Sequence, residues 1–352
     1  MQVERRNVNF EFLRILAMLG VLMNHVFNYG LKIYPDDKGI ATTFDISDMG
    51  GIALWSTLES MKLIVLVCVN CFVLISGYFL IDKTEFRLKG IWRVWSQTWF
   101  YSMAITVLFL GMAIEPFSWN IITESLTPVW HNTYWFVTSY LVLMLIAPVL
   151  AWMASKLTKK QYILLLGVGG IICFQFLLGQ YSMDNNYMLL FCYLFLIGGY
   201  IRKYYESMGI SHKTEALACA VLFLIMFGVA LAKNIFNENG RFMIYAMDYH
   251  GLVLPFSIAV FLVVKQIKIP TWSHRMILWL APLSFASYII HTHPLVDRLL
   301  WEKVSLWLPT ISPLLLPLAC LGICIVIFLF CAAIEFTRTR IVSLIQSSKR
   351  SQ

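Results

Sequence analysis

Ten runs of apolar residues follow one another along this chain, most about twenty residues long, with only short polar segments between them. A bilayer core about 30 Å thick is crossed by roughly 20 helical residues, each rising about 1.5 Å. The runs lie at 9–29, 63–82, 96–114, 134–153, 162–180, 187–202, 214–233, 246–265, 276–296 and 312–335. The sixth is short, and the eighth is interrupted by Asp248, His250 and Pro255. Hydrophobic residues make up 59% of the 352 and charged residues only 13%. Soluble domains average roughly 45–50% and about 25%, so the excess cannot be buried in a water-soluble core. The sequence therefore predicts an all-α, polytopic membrane protein with about ten transmembrane helices around a central cavity. Residues 1–340 form a single integral membrane domain and 341–352 a short tail. The longest connection, 30–62, has room for a small lid or an interfacial helix.

The net charge of +8 does not point to nucleic acid, because the basic residues sit in short clusters between apolar runs. Those clusters set an orientation instead. With the N-terminus inside, cytoplasmic segments hold 19 Lys and Arg and outer segments hold 7, with Arg14 the remaining one of 27. This is the positive-inside bias, and it places both termini in the cytoplasm of a cell-membrane protein. Twelve Trp and sixteen Tyr suit aromatic belts at the two interfaces. The N-terminal run is long enough to span and carries Arg14, so it reads as a retained helix, not a cleaved leader. Cys68-x-x-Cys71 has the spacing of a redox or zinc motif. It lies inside an apolar run without a second pair, which favours packing. No His, Asp or Glu residues show a metal-ligand spacing such as H-E-x-x-H, so no metal is expected.

The first span carries the chemistry. Arg14 and His25 are eleven residues apart. At 3.6 residues per turn they share one face, roughly 16 Å apart along the axis. Glu11 lies one turn before Arg14 and is placed to pair with it. A cation inside a span is costly on a lipid-facing surface, so this face is expected to look into a protein cavity. There it lines up a cation and a titratable base along one wall. The plainer alternatives are a snorkelling Arg14 and a packing His25 bonded to Asn24.

Arg14, ten residues and then His25 in a first span resembles the Arg-x10-His motif of the acyltransferase-3 family. Further pieces follow in family order. Phe72 to Leu80, with Ser76-Gly77-Tyr78, resembles the family's second-span segment. Tyr134-Trp135-Phe136 with Tyr140 resembles its tryptophan-led span, and Phe195-Leu-Ile-Gly198-Gly199 its later glycine step. Ser284 to His291, with Tyr288, resembles the S-x-x-x-Y-x-x-H element near the end. The resemblance covers most of the chain. One departure is visible: family members often carry Arg-x-x-Arg after the second span, whereas here Gly90 stands where the first Arg would fall, with Lys89 beside it and Arg93 after.

The resemblance implies a membrane O-acyltransferase. Such an enzyme moves an acetyl or other short acyl group from cytoplasmic acyl-CoA (acetyl-CoA as co-substrate) to a hydroxyl of a cell-surface or lipid-linked glycan. Arg14 and His25 are then the catalytic pair. Arg14, Arg87, Lys89 and Arg93 are candidates to hold the polyanionic donor, although these basic residues also suffice simply to set topology. Ser76, Trp135, Tyr288 and His291 are candidates on the substrate side, Trp135 as a platform for a sugar ring. Counting depth up the ninth span brings His291 to the level of His25, so the two are expected to face each other across one cavity. That expectation comes from depth, not from the family. The competing reading is a secondary transporter or flippase for a lipid-linked sugar, against which stands the lack of an internal repeat. A third is a scaffold that has lost its activity.

Overall fold

The computed structural model describes residues 6–31, 49–178, 187–236 and 252–350. Among them there are helices and no strands. The helices are α1 (Val8–His25), α2 (Met49–Leu80), α3 (Leu88–Gly111), α4 (Trp119–Leu126), α5 (Trp135–Lys156), α6 (Lys159–Leu178) and α7 (Tyr187–Tyr200). They continue with α8 (His212–Phe236), α9 (Val253–Gln266), α10 (Thr271–Leu280), α11 (Ser284–His291), α12 (Pro294–Trp307) and α13 (Leu316–Arg350). Where their residues are described, the ten apolar runs fall on helices, the ninth on more than one. Among the described residues, five segments are both long and apolar enough to cross a bilayer by themselves: Val8–Gly30, Ala53–Leu80, Trp135–Lys156, His212–Val229 and Leu316–Ser347. The chain is an all-α, multi-pass membrane protein.

The structure revises three boundaries. The second span was expected to begin at residue 63, but α2 starts at Met49, so half of the expected long connection is helix. The ninth span is not one helix. Pro282 cannot donate to the helical ladder and crowds the preceding turn; there the chain tightens into a 3-10 turn, Ala281–Leu283, that joins α10 to α11. The last helix does not stop at the membrane run but continues to Arg350. Two helices, α4 and α12, had no counterpart among the apolar runs. Asp248 and His250 lie outside the described residues.

Helix α1 forms the axis. It packs against α2, α9, α10, α11 and α13, and 67% of its apolar window is buried, against 11% in α8. Its first turn is tied in twice. The Asn7 side chain accepts from the backbone N–H of Asn9 at 3.0 Å, the N-cap contact expected of Asn. The Asn9 amide in turn lies 2.9, 3.1 and 2.7 Å from the carbonyls of Val264, Lys265 and Ile267. Those carbonyls lie at and just past the end of α9, where helical acceptors lack partners within the helix, so one side chain joins the start of one helix to the end of another.

Two of the family-like segments turn out to be one joint. Helices α2 and α7 cross with their backbones nearly touching. A Cβ on Gly77 would stand 2.1 Å from the carbonyl oxygen of Phe195, and one on Gly198 would stand 2.3 Å from that of Leu74. Small residues allow this approach, as at other helix crossings in membranes. Gly20 meets Cys68 in the same way across α1 and α2, with 2.1 Å between its notional Cβ and the Cys68 Sγ. Cys68 and Cys71 are buried free thiols, as the packing reading expects.

Candidate functional site

The two ends of α1 differ in what surrounds their polar residues. Near its start Glu11 is buried, and Arg14 Nη1 donates to Glu11 Oε1 at 2.6 Å, the i, i+3 pairing foreseen from the spacing. Phe10 packs on the Tyr78 ring with centroids 4.9 Å apart. The Gly77–Gly198 crossing thus fixes the tyrosine that supports this end. Tyr78 donates to Glu206 Oε1 at 2.7 Å, and Lys265 Nζ approaches the same oxygen at 3.0 Å. The Tyr78 hydrogen bond first, and Lys265 after it, hold the Glu206 carboxyl below its ordinary range.

At the other end His25 closes α1, and the chain continues as a wider π turn, Val26–Gly30. Such turns recur at functional sites. Here the turn sets the Tyr29 ring edge-on to His25 at 5.4 Å. His291, the last residue of α11, is 1% exposed and reaches across so that its Nε2 lies 3.2 Å from His25 Nδ1. The other ring nitrogen, Nδ1, contacts the carbonyl of Ser287 one turn earlier. The expected pair therefore touches instead of facing across a gap. Behind it stands Trp301 of α12, with centroids 6.2 Å from His25 and 6.4 Å from His291. The indole Nε1 donates to Asp297 Oδ1 at 2.9 Å.

A second buried histidine makes the corner that places α12. His293 Nδ1 accepts from the backbone N–H of Leu295 at 3.3 Å, which leaves its proton on Nε2, facing the Ser102 carbonyl at 3.2 Å. Both nitrogens are spent on backbone, so His293 joins α12 to α3.

His25 opens onto a cavity of about 160 Å³ between α1, α2, α5, α7 and α11. From α1 come Asn24 and His25, from the π turn after it Asn28 and Tyr29, and the aromatic walls are Phe72, Trp135, Phe136, Tyr187 and Tyr288. Trp135 and Tyr187 meet with centroids 4.5 Å apart. The Oδ1 atoms of Asn24 and Asn28 are buried and have no hydrogen-bond partner among the described residues. Buried acceptors are usually paired, so two unpaired ones beside a histidine set this wall of the cavity apart. Among the described residues no three metal-ligating side chains come together.

Of the residues singled out in the sequence, His25, Trp135 and Tyr288 line this cavity, and His291 stands behind His25. Arg14 lies toward the opposite end of α1, partly exposed. Ser76 lies elsewhere. Its hydroxyl donates to the Phe72 carbonyl at 2.9 Å and lies 3.0 Å from the Tyr140 hydroxyl, linking α2 to α5. Arg87, Lys89 and Arg93 are exposed at the start of α3, without an ion pair among the described residues. That helix packs against α4, α5, α11 and α12. Asn28, Tyr29, Tyr187 and Trp301 were not singled out. Asn28 and Tyr29 carried a usable signal, since they follow His25 by three and four residues on the same helical face. Trp301 had none, because its helix is not an apolar run.

Neither a curated protein nor a solved structure matches this chain. A family model described as an acyltransferase domain matches residues 7–335. That span holds the arginine–histidine helix, the glycine crossing and the helix that ends in His291. A match over nearly the whole chain makes this multi-pass membrane protein a membrane acyltransferase, and the chain belongs to the acyltransferase-3 family.

Proposed function

We propose that the protein moves an acetyl or other short acyl group from acyl-CoA on the cytoplasmic side to a hydroxyl of a cell-surface or lipid-linked glycan. The observation that carries this reading is the cavity at the end of α1, where His25 stands between aromatic walls and two unpaired amide oxygens. A sugar suits such a chamber. Its C–H faces pack on the electron-rich faces of Trp135 and Tyr187, and its hydroxyls donate to Asn24 Oδ1 and Asn28 Oδ1. In the reaction, an acceptor hydroxyl oxygen attacks the thioester carbonyl. A C–O bond forms and the C–S bond breaks. His25 takes the hydroxyl proton and returns it to the departing thiolate. A positioned base of this kind contributes typically 10²–10⁴-fold.

The other end of α1 suits the donor. Arg14, with Arg202 and Lys265 over the Tyr78 ring, offers cations to a polyanionic coenzyme, and the exposed Arg87, Lys89 and Arg93 add a basic rim. The positive-inside distribution supports putting this end in the cytoplasm.

The test is labelled acetyl transfer from acetyl-CoA to membrane glycans, comparing the wild type with His25→Ala at matched membrane levels. Label that requires acetyl-CoA and falls by at least a hundredfold in the variant is the expected result. Equal label with both proteins removes His25 from the mechanism. Glycan translocation that proceeds without acyl-CoA replaces the enzyme by a transporter.

A further inference from the structure

We infer that His291 is a positioning residue: it holds His25 in the one neutral tautomer that leaves Nε2 as the base facing the cavity. Three groups in a chain fix where the protons lie. A backbone carbonyl can only accept. His291 Nδ1 contacts the carbonyl of Ser287, so that nitrogen carries the ring's proton. In the neutral ring the other nitrogen is then an acceptor. His291 Nε2 lies 3.2 Å from His25 Nδ1, and an acceptor there needs a donor opposite it. His25 Nδ1 therefore bears a proton and donates. The lone pair of His25 falls on Nε2, which makes no hydrogen bond within the protein among the described residues, while the ring borders the cavity.

The supports of this chain are rigid. Ser287 is one turn before His291 on α11, and both are buried. Trp301 packs beside both rings and is itself held by Asp297. A histidine base is commonly oriented by a partner at its second nitrogen, which fixes tautomer and ring direction. Carboxylates often fill that place, but neither ring forms an ion pair among the described residues. Here a neutral imidazole, itself fixed by a peptide carbonyl, takes the part. When His25 accepts the acceptor hydroxyl's proton at Nε2, its Nδ1–H remains bonded to His291, so the chain needs no rearrangement during transfer. This kinetic consequence rests on the acyltransferase reading. The tautomer does not.

The experiment uses the full chain in lipid nanodiscs with ¹⁵N-labelled histidine, in mildly alkaline buffer. The His25 signals are picked out of the seven histidines by their loss in His25→Ala. The expected wild-type spectrum has His25 Nδ1 protonated and Nε2 bare. His291→Leu should lose that preference, and His291→Gln should keep it, because the glutamine amide oxygen can accept where Nε2 did. A wild-type His25 with its proton on Nε2 overturns the inference, as does an unchanged tautomer in His291→Leu. The wild-type measurement alone decides should the leucine variant fail to fold. In the transfer assay, His291→Leu should lower kcat by about ten- to a hundredfold with the KM for acyl-CoA unchanged, and His291→Gln should recover most of it. Unchanged kcat in folded His291→Leu overturns the positioning role. Absence of transfer in every form, wild type included, counts against the acyltransferase reading and leaves the spectrum to judge the tautomer.

Discussion

The two ends of α1 carry the same kinds of residue and treat them in opposite ways. At the start, each polar group has found another. Asn7 caps, Asn9 meets the end of α9, Arg14 is bonded to Glu11, and Tyr78 sits between Glu206 and Lys265. At the other end, among the described residues, Asn24 and Asn28 keep amide oxygens unpaired, and His25 is bonded through only one of its nitrogens. Leaving a buried polar group unmet costs about 1–3 kcal/mol. A helix that spends its polar groups on structure at one end and withholds them at the other has a fitted end and an open end, and in the proposed mechanism the open end is the reactive one. Both Arg14 and His25 belong to the same sequence motif, and only the surroundings separate their work.

The largest effect should come from breaking the reactive end. His25→Ala is expected to lower acyl transfer by 10²–10⁴-fold while the thermal midpoint in detergent falls by no more than the loss of the one hydrogen bond to His291 implies, about 1–3 kcal/mol. A large drop in that midpoint would mean that His25 is a packing residue after all. Next comes the joint that supports the fitted end. In Gly198→Ala the new methyl would meet the Leu74 carbonyl at 2.3 Å, and overpacking of this sort costs about 1–3 kcal/mol or more. Thermal unfolding should fall accordingly, and the same substitution at Gly228, where nothing lies within 4 Å, should leave it unmoved. Equal behaviour at the two glycines would dissolve the crossing as a constraint. Third, Arg14→Leu leaves the buried Glu11 carboxylate without its cation, a loss of about 1–3 kcal/mol. Removing both charges in Glu11→Leu/Arg14→Leu should restore most of that stability. If Arg14 also handles the donor, the double variant is stable and still inactive. Return of activity together with stability would confine Arg14 to structure.

Much of this architecture was legible because membranes impose a length. The apolar runs fell on helices wherever their residues are described, the ninth in two parts, since a span must satisfy its own backbone. The eleven-residue interval placed Arg14 and His25 on one face, and depth counting brought His291 to the level of His25. What the length rule misses is anything amphipathic. The first turns of α2, with Glu59 and Lys62, and the whole of α12, with Asp297, Arg298, Glu302 and Lys303, are helical without being apolar runs. Their helicity is decided by packing. Contacts between distant segments were out of reach for the same reason. Gly77 and Gly198 read as two separate pieces and prove to be two halves of one crossing. Ser76, adjacent to that crossing, is a substrate-side candidate whose link from α2 to α5 through Tyr140 the sequence did not show. The 3.2 Å contact between His25 and His291 also exceeds what depth can say, because depth fixes a level and not a direction.

The smallest effect, and the one that most sharpens the contrast between the ends, concerns the unpaired amides. In Asn24→Leu and Asn28→Leu a buried oxygen without a partner is replaced by an apolar group of similar size. No hydrogen bond within the described protein is lost by this, so stability should hold or rise slightly. If those oxygens receive hydroxyls of the acceptor, each loss should raise the KM for acceptor by about tenfold, the factor that corresponds to about 1.4 kcal/mol, with little change in the KM for acyl-CoA. Stability and affinity then move in opposite directions at this end of α1, whereas at Arg14 stability falls on substitution. Thermal unfolding paired with acceptor and donor titrations reads both. A fall in stability without a change in acceptor KM would place Asn24 and Asn28 with the fitted residues, and the amide oxygens would then have partners of their own within the protein.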